Sequence, residues 1–115
     1  MKLVFPADDA EPIHFTPDPL WLIFPKTKPH HLVSYAVPGF EGIYICSDRI
    51  SGEQENASMR RFSTNIKFTG KVVLFRLNGT IENDDVWLLD MLLYNARFID
   101  PKVIIVQENC AVMNL

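Results

Sequence analysis

The chain is poor in the residues that usually announce a chemistry. Its 115 residues include only two cysteines, Cys46 and Cys110, and no CxxC pair. That excludes a disulfide framework and a cysteine-rich zinc site, and leaves free thiols as the expected state. Histidine occurs three times, as His14 and the adjacent His30-His31. Neighbours on a strand point to opposite faces, so that pair does not make two ligands for one ion. No metal and no cofactor is expected. The five glycines form neither GxGxxG nor a P-loop, which removes the usual phosphate cradles. No apolar run exceeds five residues, so no membrane-spanning helix is expected. Leu3-Val4-Phe5 is cut short by Pro6-Ala7-Asp8-Asp9 and does not make a signal-peptide core. A cytoplasmic protein is the expectation.

Charge of one sign is also lacking. Eleven basic residues stand against fourteen acidic ones, net −3, and they are spread evenly along the chain. Arg49, Arg60, Arg61 and Lys67 lie near Phe62 and Phe68, a pattern that can stack and hold single strands. Glu53 and Glu55 interrupt it, and the overall balance opposes nucleic acid.

What is abundant is apolar and local. At 48% hydrophobic, 115 residues suffice for one domain, 1–115, with its own core. Seven of the eight prolines fall in residues 6–38, which leaves no room for a long helix there. Between them, Leu3–Phe5, Leu20–Phe24 and Leu32–Val37 read as short strands, and 42–46 as another joined through the turn 38–41. The polar stretch 47–60 allows two turns of helix over 53–60. Phe62, Thr64, Ile66 and Phe68 then alternate with polar residues as in a half-buried strand. Residues 71–77 are apolar at consecutive positions and 103–106 continuously so, as strands covered on both faces are.

Between the last two strands lies the principal helix, 83–98. Asn83 suits its N-cap, Asp84 and Asp85 its first turn, Arg97 its last, and Pro101 follows its end. A strand, a helix and a strand predict a βαβ unit with parallel strands. The expected fold is therefore α+β: a mixed, largely antiparallel sheet of several short strands, a C-terminal βαβ unit and one principal helix. Residues 71–109 resemble the strand–helix–strand of the Clp protease and crotonase folds. They lack the glycines after Val106 that an oxyanion hole needs, so no residue carries over. Gly42-Ile43-Tyr44 resembles the opening of the GIY-YIG nucleases, without that family's second element.

At 100° per residue the helix shows two apolar faces. Leu88, Leu89, Leu92, Leu93 and Ala96 form one arc, suited to packing on a sheet. Trp87, Met91, Tyr94 and Phe98 form a second, at i, i+4, i+7 and i+11. Either this stripe is covered by the proline-rich segment with its Trp21 and Phe24, or it binds a protein partner or a second copy of the chain. The expected function is a small, acidic, non-enzymatic interaction module: an inhibitor, an immunity-type antidote, an adaptor or an accessory subunit. The alternative is a small-molecule-binding or enzymatic domain. It would use the strand-end edge at Asn78, Gly79 and Thr80 with Glu108, Asn109 and Cys110, or the Cys46 thiol activated by Arg49 and a histidine. Glu82, Asp84 and Asp85 oppose a phosphate at that edge.

Overall fold

The computed structural model describes residues 1–8, 10–28, 31–37, 40–48, 54–59 and 68–87, together with the backbone of 102–105. Five strands from the first two thirds of the chain form an antiparallel sheet: β1 (Lys2–Phe5), β2 (His14–Thr16), β3 (Leu32–Ala36), β4 (Ile43–Asp48) and β5 (Val72–Arg76). β6 (Lys102–Ile105) joins the outer edge of β3, and the order across the sheet is β2-β1-β5-β4-β3-β6. Two short helices, α1 (Leu20–Ile23) and α2 (described over 83–87), and a 3₁₀ turn, Ala57–Met59, complete the α+β fold.

β5 lies deepest, between β1 and β4. Its alternation divides the core into two layers. Val72 and Leu74 face one side with Leu3, Phe5, Val37, Ile43 and Ile45, closed over by Met59, Phe68 and Ile81. Val73 and Phe75 face the other with Val4, Leu32 and Cys46, closed over by Leu20, Ile23 and Phe24. Val72 through Phe75 are all buried, as the consecutive apolar positions within 71–77 predict. The hairpin across 38–41 is also present: β3 pairs antiparallel with β4, Ala36 opposite Tyr44 and Leu32 opposite Asp48.

Several expectations are corrected. Leu20–Phe24 is not a strand. Leu20–Ile23 forms one helical turn, because Leu20, Ile23 and Phe24 are spaced i, i+3, i+4 and all three are buried. Among the described residues the sheet is not mixed, since every paired neighbour is antiparallel. The strands before and after the expected helix 83–98 are not parallel either. β5 opposes β4, β4 opposes β3 and β3 opposes β6, so β5 and β6 run in opposite directions. Both edges of β5 are already taken by β1 and β4, and the outer edge of β3 is what β6 adds to. The two turns of helix expected over 53–60 are likewise replaced: within 54–59 Glu55 bridges Thr69 and only Ala57–Met59 turns, as 3₁₀. The strand expected over 62–68, apart from Phe68, and the helix expected over 83–98, beyond Trp87, lie outside the described residues.

Asn56 ties the excursion between β4 and β5 to the sheet. It is 1% exposed, and its Nδ2 donates to the carbonyls of Phe5 at 3.0 Å, Pro6 at 3.2 Å and Gly70 at 2.9 Å. Its backbone N–H donates to Phe68 O at 2.9 Å, and Gly70 N–H returns to Gln54 O at 2.9 Å. One side chain thus bonds carbonyls at the end of β1 and at the entry to β5.

Candidate functional site

The start of α2 is held by a compact set of polar contacts. Asp85 Oδ1 accepts from Arg76 Nη2 at 2.6 Å, and Asp85 Oδ2 accepts from the backbone N–H of Glu82 at 2.9 Å. Arg76 Nε also donates to Thr80 O at 3.2 Å. A side chain at N3 reaching back to the N-cap N–H is half of a capping box. The cap is therefore Glu82, one residue before the expected Asn83, and Val86 N–H makes an early helical bond to Glu82 O at 3.2 Å. Gly79 lies close under the Arg76 side chain: a Cβ there would sit 2.8 Å from Arg76 Cδ and push that side chain aside.

That cap sets how the helix meets the sheet. Val86 packs against the layer containing Leu74 and Ile45. Trp87, the next residue, turns away and is 62% exposed. The expected cover for it is elsewhere. Phe24 is buried in the layer on the opposite side of the sheet, and Trp21 is itself 50% exposed. Met91, Tyr94 and Phe98, and the arc from Leu88 to Ala96, lie outside the described residues.

The strand-end edge divides. Asn78 and Thr80 are exposed, and Thr80 borders an open cleft of about 230 Å³ with Met1, Phe15, Ile81, Glu82 and Asn83. The Met1 amino group donates to Thr80 Oγ1, and Ile81 N–H donates to Met1 O at 2.9 Å. Asn109 and Cys110 lie outside the described residues. The register does not bring the two strand ends together. Phe75 is level with Tyr44, Ala36 and Lys102, whereas Val72 is level with Ser47, Val33 and Ile105. The chain leaves β5 and β6 at opposite ends of the sheet.

Cys46 is fully buried on β4, between Ser34 of β3 and Val73 of β5. Burial pushes its thiol up to about 12, with the nearby Asp48 charge acting the same way and the Ser34 hydroxyl only partly opposing them. A reactive cysteine needs the reverse, a depressed pKa and access. Ser34, not His31, lies opposite Cys46, and Arg49 and His30 are outside the described residues. Phe68 is 4% exposed within the core, so it is no platform for a base. His14 is exposed and its Nδ1 lies 3.1 Å from Pro12 O. Among the described residues no three His, Cys, Asp or Glu side chains gather as for a metal, and no helix is long and apolar enough to cross a membrane.

Residue patterning read as strands missed one surface altogether. Trp21 and Leu22, 50% and 47% exposed, form the outer side of α1. The signal was available in the spacing of Leu20, Ile23 and Phe24, which sends the two residues between them outward. Comparison with protein-family models, curated proteins and solved structures finds no match to this chain.

Proposed function

We propose that the chain is a small non-enzymatic interaction module, of the inhibitor, antidote or adaptor kind. In this reading it binds a protein partner through Trp87 and the helical stripe that the sequence continues with Met91, Tyr94 and Phe98. The observation that supports it is the division of the first turn of α2, where Val86 is turned to the core and Trp87 is left 62% exposed. Large aromatic side chains are the commonest anchors of protein contacts, and α1, whose Trp21 and Phe24 were the expected cover for this one, lies over the other layer of the core. The alternative, a small-molecule site at Thr80, has a cleft of about 230 Å³, under the roughly 300–1,000 Å³ usual for such ligands.

The test is capture from the native host with wild type and a Trp87→Ala/Tyr94→Ala variant whose circular dichroism shows that it is folded. The captured protein is then purified and titrated against both chains. A loss of affinity of about 30-fold or more in the variant, the scale of a hot-spot truncation, supports the reading. Equal affinity for the two chains refutes it, and a variant that cannot fold returns the stripe to the core.

A further inference from the structure

The outer side of α1 is apolar, and exposed lysines outnumber the carboxylates near it, which are Asp18 before the helix and Asp48, bonded by Thr27, after it. Trp21, Leu22 and Pro25 are exposed there, followed within a few residues by exposed Lys26 and Lys28. Lys71, also exposed, reaches across from the start of β5 and donates from Nζ to Ile23 O at 3.0 Å, at the end of the helix. Lys2 does not belong to this rim, because it is partly buried and its charge has Asp18 beside it. Among the described residues no carboxylate pairs with Lys26, Lys28 or Lys71.

The start of α2 carries the opposite charge around the same kind of side chain. Glu82 and Asp84 are exposed beside the exposed Trp87. Asp84 precedes Trp87 by three residues and so shares its side of the helix. Asp85 is already engaged by Arg76. α1 covers one layer of the core and α2 packs on the other, so the two surfaces lie over opposite faces of the sheet.

We propose that the outer surface of α1 docks residues 82–87 of a second copy of this chain. Lys26, Lys28 and Lys71 meet Glu82 and Asp84, while Trp21 and Leu22 pack on Trp87. This rests on the reading of Trp87 as a contact residue and names the partner as the chain itself. Because the joined surfaces differ, the contact is head-to-tail: each copy keeps one surface free, and assembly continues or closes into a ring. One helical turn against another buries less than the roughly 1,200–2,000 Å² of a stable interface. The association is therefore weak and strongly salt-dependent.

Sedimentation velocity of the purified chain, from micromolar to millimolar, tests it. At about 0.01 M salt, where charges act over roughly 30 Å, the average mass rises with concentration; at about 1 M salt, where they act over roughly 3 Å, it returns to that of the monomer. A Trp21→Ala/Lys26→Ala/Lys28→Ala chain and a Glu82→Ala/Asp84→Ala/Trp87→Ala chain each associate at least about tenfold more weakly alone. Mixed, they retain one intact contact and form a one-to-one complex that does not grow. A wild type that stays monomeric throughout overturns the proposal, as does a dimer indifferent to salt and to these substitutions. A monomer that instead co-sediments with phosphatidylserine vesicles through Trp21 also overturns it. A strictly monomeric chain that captures a foreign partner through Trp87 would overturn this assembly while leaving the proposed function standing.

Discussion

The layer of the core under α1 is closed by Leu20, Ile23 and Phe24, neighbours in sequence, whereas the opposite layer is closed by Met59, Phe68, Ile81 and Val86 from separate stretches of chain. Both layers rest on the same strand, since β5 sends Val73 and Phe75 one way and Val72 and Leu74 the other. The difference lies in what holds each cover down. α1 is held by its own buried side chains and by a few bonds at its end, from Lys71 Nζ to Ile23 O and from Thr27 Oγ1 to Asp48 Oδ2. The other cover is pinned from within by a polar residue, Asn56. A local cover depends on apolar contact, and a cover assembled from distant segments depends on hydrogen bonds that fix where those segments lie.

The largest test of that contrast is Leu20→Ala. Leu20 is 0% exposed, and removing a fully buried leucine side chain is expected to lower unfolding free energy by about 3 kcal/mol. Trp21→Ala, on the outer side of the same turn, should stay within about 0.5 kcal/mol. Urea titrations of the two variants decide it. If Trp21→Ala costs as much as Leu20→Ala, the outer side of α1 is part of the core and the local cover is larger than one turn.

A smaller effect is expected at Asn56. Its truncation to Ala leaves the carbonyls of Phe5, Pro6 and Gly70 without their side-chain donor, a loss of about 2 kcal/mol. Asn56→Asp should recover none of it, because a carboxylate cannot donate to three carbonyls. Hydrogen exchange adds the spatial reading: amides of Asn56 and Gly70, bonded to Phe68 O and Gln54 O, should lose protection before those of β3 and β4. Equal loss across the whole sheet would show that the excursion and the sheet open as one unit, and the contrast between the two covers would not hold.

These residues also mark what can be read from the sequence. The strands of the sheet were legible where alternation or a continuous apolar run was long, as in β4 and β5, because burial repeats with the pleat. α1 was not. Five consecutive apolar residues between prolines carry no period-2 signal, and the composition of Leu20–Phe24 suits a strand as well as a buried turn. The antiparallel sense of β6 was hidden for a different reason. Strand–helix–strand order predicts a parallel pair only when an edge of the first strand is free, and nothing local in 71–106 records that β1 and β4 occupy both edges of β5. Asn56 was invisible because its partners are 50, 51 and 14 residues away. Of the candidate site, Trp87 was legible from helical spacing, while the cationic surround of α1 requires Lys71 to be brought beside it by the fold.

An effect that appears only at high pH probes whether α1 stays closed. Cys46 lies in the layer under that helix, and burial raises its thiol from 9.0 to about 12. Between those values the unfolded chain ionises and the folded chain does not, so the contribution to stability is fully present below pH 9 and is lost as pH rises toward 12. Wild type should lose about 1.4 kcal/mol more than Cys46→Ala for each pH unit across the middle of that range, measured in a Cys110→Ala background. The same background isolates Cys46 for a thiol reagent. With α1 closed, modification at pH 8 should proceed no faster than global unfolding, because the thiol is reached only when the sheet opens. Modification that outpaces unfolding, and quickens further in Leu20→Ala, would mean that the one-turn cover lifts by itself while the Asn56-pinned layer stays shut.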